Sequence, residues 1–285
     1  MRRLVRPRLL STLSGGTAPA PVPWTSPRGR ALFREALSSG TLESYFPLAA
    51  QFLTESGPSP SGLGALAMTL NALNIDPGRV WKGPWRWFTE AMLECCVPAS
   101  ALAARSISLD EFAQLARSHG AAARVVRADG DDAIAGAAAL RAAVRETTAT
   151  AGGGFVVASF SRGAVGQLDV GSADDGAAVP FALIAGFHAP ADAVLLLDVA
   201  RTRFPPAWVP VRALHGAMRA QDAALSALTP SAGPSARGIH GGWVTVERGG
   251  VNNCAETLRE KNRVTDTATI PLPRATEKPC LSHAA

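Results

Sequence analysis

The sequence predicts an α+β fold, with helices packed on one side of an antiparallel sheet. Apolar residues recur at helical spacing over the first half of the chain, whereas the second half carries short apolar runs bounded by turn residues. Helices that come first and strands that come later are typical of α+β domains. Of the 285 residues, 47% are hydrophobic and 18% are charged, so one domain with a sizeable core is expected.

The helices are predicted from periodicity and from start signals. They lie at about residues 28–38, 41–53, 61–74, 83–96, 107–118 and 132–146, and a later one at 210–221. The fifth has the clearest start, because Ser108 is followed three residues later by Glu111 in a capping-box pattern.

The strands are predicted from apolar runs that are too short for helices. These runs are GFVVASF (154–160), FALIAGF (181–187), AVLLLDVA (193–200) and GWVTVER (242–248). None of them is long enough to span a bilayer, so no membrane partner is expected.

The two ends of the chain differ from its middle in composition. Residues 1–24 contain four arginines and no acidic residue, which is typical either of a transit peptide or of a disordered tail. Residues 25–249 are predicted to form the domain, and the polar, aperiodic residues 250–285 to be disordered. A transit peptide would direct the protein to a mitochondrion or plastid, and without one we expect a cytoplasmic protein.

Charge and cysteine usage restrict the partners and the compartment. The net charge is +5, but the sequence has no basic run interleaved with aromatic residues, so we expect no nucleic-acid partner. A basic protein also suits small anionic substrates. Four cysteines in this length are not a disulfide framework, which favours a reducing, intracellular compartment.

The stretch SGPSPSGLGALAMTLNAL (56–73) reads as a Pro-rich approach to a helix that begins near Ser61. Three interpretations of Ser61 are open: a nucleophile, a helix cap, or the replacement of a reactive residue. The cap is favoured, because serine is a preferred N-cap and a proline before it fits a turn into a helix.

Three longer segments carry a family resemblance. They are GTLESYF (40–46), LNALNIDPGRVWKGPWRWFTEAMLECC (70–96) and LLDVARTRFPPAWVP (196–210). Together they resemble phytochelatin synthase, glutathione γ-glutamylcysteinyltransferase, and the resemblance runs with gaps from about residue 24 to residue 248. Taken alone, the tryptophans of WKGPWRW would be predicted in the core and its two cations on a solvated face.

The resemblance implies a papain-like cysteine transferase fold with a Cys–His–Asp triad. In this family a thiolate attacks glutathione, glycine leaves, and a second glutathione takes the γ-glutamylcysteinyl group. The products are phytochelatins, which bind heavy metals. The implied partners are glutathione and its metal thiolate, with a heavy-metal ion such as Cd²⁺ or Zn²⁺ as activator or as part of the thiolate. The oligomeric state stays open, a dimer being one alternative.

Carried over residue by residue, the resemblance finds the catalytic positions substituted. Ser61 lies where the family has the nucleophilic cysteine, and Glu55 where it has the oxyanion-hole glutamine. Pro180 lies at the position of the general-base histidine, so that Asp198 alone remains from the triad.

These substitutions weaken each step of the chemistry. A helix dipole lowers the pKa of a cysteine but does not ionise a serine, which needs a base within hydrogen-bond reach. A carboxylate at Glu55 repels a developing oxyanion unless it is protonated. Three hypotheses remain: a transpeptidase that works in spite of these losses, a non-catalytic module that binds glutathione or its metal thiolate, and a poor serine hydrolase.

No other histidine is predicted to replace the missing base. His188 lies at the far end of the strand that follows Pro180, roughly 20 Å away at about 3.3 Å per residue. The remaining histidines match no family position and are predicted at the surface; they are His119, His215, His240 and His283.

Some binding positions of the family are retained. Arg162, Arg201 and Arg203 match its basic residues, and guanidinium groups suit the two carboxylates of glutathione. The alternative is that Arg201 forms a structural ion pair with Asp198. Cys95 and Cys96 match a paired cysteine of plant-type members, and either bind metal weakly or pack in the core, the latter being favoured.

Overall fold

The structure is a computed structural model, and it describes residues 20–54, 61–78, 80, 82–93, 107–130, 132–167, 180–228 and 241–249. For residues 61 and 222–228 it describes the backbone alone. All of these residues belong to one compact unit, Met1–Gly249. The predicted transit-like segment, apart from residues 20–24, and the predicted C-terminal tail lie outside the described residues.

The helices within these ranges largely follow the predicted ones. They are α1 (Pro27–Ser38), α2 (Tyr45–Ala50), α3 (Ser61–Ala72), α4 (Glu90–Leu93), α5 (Leu109–Ser118), α6 (Ala133–Thr148) and α7 (Val211–Leu228). The capping box at the start of α5 is formed as predicted, with Ser108 Oγ accepting from the Glu111 N–H. Among these helices, none combines the length and the apolar character that a membrane-crossing segment needs.

The strands form a single antiparallel sheet. They are β1 (Val22–Pro23), β2 (Ala121–Arg127), β3 (Phe155–Ser159), β4 (Phe181–His188), β5 (Ala193–Asp198), β6 (Ala207–Pro210) and β7 (Gly242–Arg248). Their order across the sheet is β1-β6-β5-β4-β3-β7-β2, and all neighbours run antiparallel. The predicted α+β class is confirmed.

The helices cover both faces of the sheet, which corrects the prediction that they lie on one side. Helices α1, α2, α3 and α5 share one apolar cluster with one face, and α6 and α7 share a second cluster with the other. The reason is visible in β3, β4 and β5, where every residue is buried. Strands that are apolar throughout, rather than at every second position, are buried on both faces.

The helix predicted over 83–96 is wrong for its first part. Among the described residues of that span only Glu90–Leu93 are helical, and Lys82 and Trp85 instead form an isolated antiparallel bridge. Gly83 turns the chain there with a φ of +57°, and the proline after it favours an extended path. Trp85 and Trp87 are not core residues, since they are 63% and 42% exposed, and Trp81 lies outside the described residues.

The folded part begins before residue 25. Strand β1 pairs with β6, with Val22 opposite Trp208. Trp24 packs edge-on against Phe33 and at a tilt against Tyr45, with ring centroids 6.1 and 6.2 Å away. These contacts connect the first residues of the domain to α1 and α2.

Candidate active site

Helix α3 is the buried centre of the candidate site. Ser61 is its first residue, and residues 62–72 are all buried within the core on one face of the sheet. The helix axis therefore starts at Ser61 with its positive dipole end directed toward that position.

Two glycines bring the first turn of α3 close to the sheet. A Cβ on Gly62 would lie 2.5 Å from Ile107 Cδ1 and 3.1 Å from Phe181 Cδ2. A Cβ on Gly64 would lie 2.7 Å from Glu90 Oε1 and 3.4 Å from Val199 Cγ2. A Cβ at either glycine would force the Ile107 or Glu90 side chain to move, because real Cβ atoms do not come within 3.0 Å of such atoms.

These contacts bring three sequence-predicted positions to the same place. Ser61 precedes Gly62, whose neighbour Phe181 follows Pro180 in the chain. Val199, which borders Gly64, follows Asp198. The start of α3, the start of β4 and the end of β5 therefore meet, although the side-chain position of Ser61 is not described.

Pro180 is buried directly before β4, and its ring offers no proton acceptor. His188 lies at the opposite end of the same strand, where its Nε2 is 2.7 Å from Glu35 Oε2 and its Nδ1 accepts from the Ala191 N–H at 3.0 Å. It therefore connects α1 to the β4–β5 turn rather than serving the site.

Of the remaining histidines, the two within the described residues lie elsewhere. His119 ends α5, and its ring stacks edge-on against Phe88. His215 lies on α7 and is only 3% exposed, so the prediction that it is a surface residue is wrong.

Asp198 is held by Arg162. The Arg162 Nε and Nη2 donate to Asp198 Oδ2 at 3.1 and 2.6 Å, and the Ala200 N–H donates to Oδ1 at 2.9 Å. The side chains of Arg162 and Asp198 are 11% and 3% exposed. The guanidinium also lies 4.0 Å from the centre of the Phe204 ring.

This ion pair changes two sequence-based interpretations. The alternative that Arg201 pairs with Asp198 is wrong, because Arg162 makes that contact. Arg162 itself, predicted to bind substrate, directs its guanidinium at the triad position. A tight turn after β3 holds it there, with the Gln167 N–H donating to the Arg162 carbonyl at 2.9 Å.

Arg201 and Arg203 lie exposed in the turn after β5. The Arg201 guanidinium is 5.1 Å from the Phe52 ring centre, and that of Arg203 is 5.4 Å from the Phe204 ring centre. Arg203 shares the Phe204 ring with Arg162, the partner of Asp198, so this cation lies beside the triad position. We call Arg201 and Arg203 the cationic rim.

The remaining predicted site residues, Glu55, Cys95 and Cys96, lie outside the described residues. Within the described ranges no group of three or more His, Cys, Asp or Glu side chains is placed to bind a metal ion.

Sequence reasoning missed two polar groups that the tertiary fold brings to this region. One is the carboxylate of Glu90, which lies next to Gly64 of α3. The other is Ser159, which pairs with Phe181 across the sheet and whose Oγ is buried with no partner among the described residues. No local sequence signal marks either one, because strand pairing and tertiary packing place them.

A family model described as phytochelatin synthase matches residues 17–227. The chain belongs to the phytochelatin synthase family. Relatives named glutathione gamma-glutamylcysteinyltransferase 1 occur in Triticum aestivum, 35% identical over 271 residues, and in Lotus japonicus, 40% identical over 205 residues. Another, named glutathione gamma-glutamylcysteinyltransferase, occurs in Schizosaccharomyces pombe and is 33% identical over 192 residues.

These alignments cover 91%, 72% and 67% of this chain, in the same order, but only 51%, 38% and 43% of the relatives. The chain thus spans about half or less of the length of these phytochelatin synthase relatives. Helix α3 and every strand of the sheet except β7 lie within residues 17–227, the part that the family model matches.

Proposed function

We propose that this chain recognises glutathione through a phytochelatin synthase domain whose γ-glutamylcysteinyl transfer is impaired or lost. The family supports glutathione as the substrate class. The single observation that supports the loss of transfer activity is the ion pair between Arg162 and Asp198. Arg162 binds the carboxylate that would orient a catalytic imidazole.

The nucleophile position supports the same conclusion. A serine at the start of α3 gains little from the helix dipole, since its hydroxyl pKa is far above that of a thiol. Transfer from glutathione also requires a proton donor for the departing glycine amine. Pro180 supplies neither a base nor a donor.

The cationic rim supports retained recognition of glutathione. Glutathione carries two carboxylates, and Arg201 and Arg203 present two guanidinium groups held against aromatic rings. We propose that heavy-metal ions such as Cd²⁺ or Zn²⁺ reach this domain as glutathione thiolates, and therefore as substrate rather than as a resident cofactor.

The transfer reaction is tested with purified protein, glutathione and Cd²⁺. Peptide products and released glycine are measured by mass spectrometry, and a Ser61→Ala variant of equal thermal stability serves as the control. We expect no phytochelatin above the level of the control. Clear polymer formation that disappears in Ser61→Ala would contradict the proposed loss.

Recognition is tested by calorimetry with glutathione and with its Cd²⁺ thiolate. We expect weak binding that falls roughly tenfold when Arg201 and Arg203 are both changed to alanine, because exposed, solvent-screened charge pairs contribute about 0.2–1 kcal/mol each. A matched control changes Arg30 and Arg34 to alanine, since both are exposed on α1 and remove the same charge. Equal losses in the two double variants would refute the cationic rim as the binding site.

The alternative is a module with no catalysis at all. A graded rescue separates it from an impaired transferase. Ser61→Cys alone should become reactive toward iodoacetamide, because a thiol at a helix N-terminus gains thiolate character, yet give no transfer. Ser61→Cys combined with Pro180→His and Glu55→Gln should restore a small amount of transfer. If the single variant turns over as fast as the triple, a base other than position 180 is present.

A further inference from the structure

A cleft lies on the other face of the sheet from α3, between α6 and α7. It has a volume of about 360 Å³. Its walls are Ala133, Ile134 and Ala137 from α6 and Arg212, His215 and Arg219 from α7. The apolar side chains all come from α6, and the basic ones all come from α7.

The three basic residues share one side of α7. Positions 212, 215 and 219 are three and four residues apart, so they follow one another along the same helix face. Arg212 and Arg219 are exposed. Within the described part of the chain, neither is among the guanidinium groups that form ion pairs.

The imidazole of His215 forms a largely buried part of the cleft wall, since the residue is only 3% exposed. Its Nε2–Cε1 edge faces α6 at Gly136, where a Cβ would overlap the ring, so glycine there makes room for the imidazole. The ring nitrogens can each donate or accept a hydrogen bond, depending on their protonation, and so offer a ligand in the cleft a polar partner.

The electrostatic surroundings of His215 are positive. Burial lowers the pKa of His215, and the neighbouring Arg219 lowers it further. The carboxylate of Asp132, at the N-cap of α6, is engaged in capping that helix, since it accepts from the Ile134 and Ala135 N–H groups. The charged groups that line the cleft are the guanidinium groups of Arg212 and Arg219.

Among the described residues, the strands packed on the other side of α7 add no charge near the ring. Their buried residues in the same apolar cluster as α7 are all uncharged, namely Val156, Ala158, Ala182, Ile184, Phe187, Val194, Leu196, Val209 and Trp243. Further along α6, the charged residues Arg141, Arg145 and Glu146 lie more than a turn beyond the cleft wall, and Arg141 pairs with Asp192.

We propose that this cleft binds a phosphate monoester, with Arg212 and Arg219 on the phosphate, His215 as a further hydrogen-bond partner and the α6 wall against the organic group. Positions 212 and 219 are separated by about 10 Å along the helix axis, so the two long side chains can bend toward one tetrahedral dianion. Ile134, which is 69% exposed, supplies apolar surface beside them. This site is independent of the transfer chemistry at α3.

Phenyl phosphate is the probe, titrated by calorimetry in a buffer without other multivalent anions. We expect measurable binding that weakens at least tenfold when Arg212 and Arg219 are both changed to alanine, and less than twofold in the control that changes Arg30 and Arg34. Inorganic phosphate, which lacks the organic group, should bind more weakly than phenyl phosphate. Equal affinity for both probes overturns the monoester assignment.

The His215 ring provides an independent readout by NMR of ¹³C-labelled histidine, assigned by the peak missing from His215→Gln. Binding a dianion favours the charged imidazole, so the His215 pKa should rise with ligand and affinity should increase from pH 8 to about pH 6.5, above the range in which the phosphate itself takes up a proton. His215→Gln should remove most of that pH dependence. An unmoved His215 resonance at saturation, or equal weakening in both arginine double variants, overturns the site.

Discussion

Replacing Arg162 by methionine isolates the energetic role of the Arg162–Asp198 pair. The change keeps much of the apolar stem but removes both donors to Asp198 Oδ2. The carboxylate, 3% exposed, then keeps only the Ala200 N–H as a partner among the described residues. Removing one partner of a buried pair leaves an uncompensated buried charge.

The expected loss is about 3–5 kcal/mol of unfolding free energy, the range for breaking a buried ion pair. A second pair in the same protein provides the comparison. Arg141 donates to Asp192 through two hydrogen bonds of 2.6 Å, but its side chain and that of Asp192 are 29% and 36% exposed. For Arg141→Met we expect about 0–1 kcal/mol, because solvent screens that pair.

Urea unfolding followed by circular dichroism measures both variants. A third variant, Arg162→Met with Asp198→Asn, removes the stranded charge and should recover part of the stability lost in Arg162→Met. Equal losses for Arg162→Met and Arg141→Met would refute the argument from burial. A double variant no more stable than Arg162→Met would show that lost packing, and not the charge, is responsible.

Three further predictions concern the scaffold. Gly29→Ala should destabilise the protein by about 1–3 kcal/mol, because a Cβ there overlaps backbone atoms of the β1 segment. Gly216→Ala, where a Cβ meets no atom within 4 Å, should instead stabilise α7 by up to about 1 kcal/mol. Thermal melts of the two variants test both expectations. Because the pKa of His215 is lowered in the folded protein, the unfolded chain binds more protons, and stability should fall as pH drops below about 6.5. The urea midpoints at pH 7.5 and pH 5.5 should therefore differ less in His215→Gln than in the unchanged protein. Asn71→Ala should remove the side-chain partners of the buried Phe88 N–H and C=O groups and lower the free energy of unfolding by about 2–4 kcal/mol. Proteolysis within residues 82–89 should become faster, and an unchanged cleavage rate would contradict this.

The elements that were predicted correctly are those with local signals. The capping box fixes the start of α5 through residues three apart, and the apolar runs of β4 and β5 are recognisable without their neighbours. Strand β2, AAARVVR, was missed because its burial does not alternate regularly and its order depends on pairing with β7, more than 100 residues later.

The candidate site shows the same limit. Family resemblance supplied the positions of Ser61, Pro180 and Asp198, and the backbone of the structure brings these positions together. It did not supply the partner of Asp198, because the choice between Arg162 and Arg201 is made by the turn after β3 and not by spacing along the chain. Likewise His215, on an apparently polar helix face, is buried by α6.

The position of β7 has a consequence for how the chain can be cut and how it is made. This strand, Gly242–Arg248, lies inside the sheet, with β3 on one side and β2 on the other. A fragment that stops at residue 227, where the family match ends, would leave β2 with no neighbour in the sheet and two hydrogen-bonding edges bare. During synthesis, more than 100 residues must be added after β2 before β7 is available to pair with it. A chaperone that shields exposed strand edges should therefore raise the yield of the folded protein.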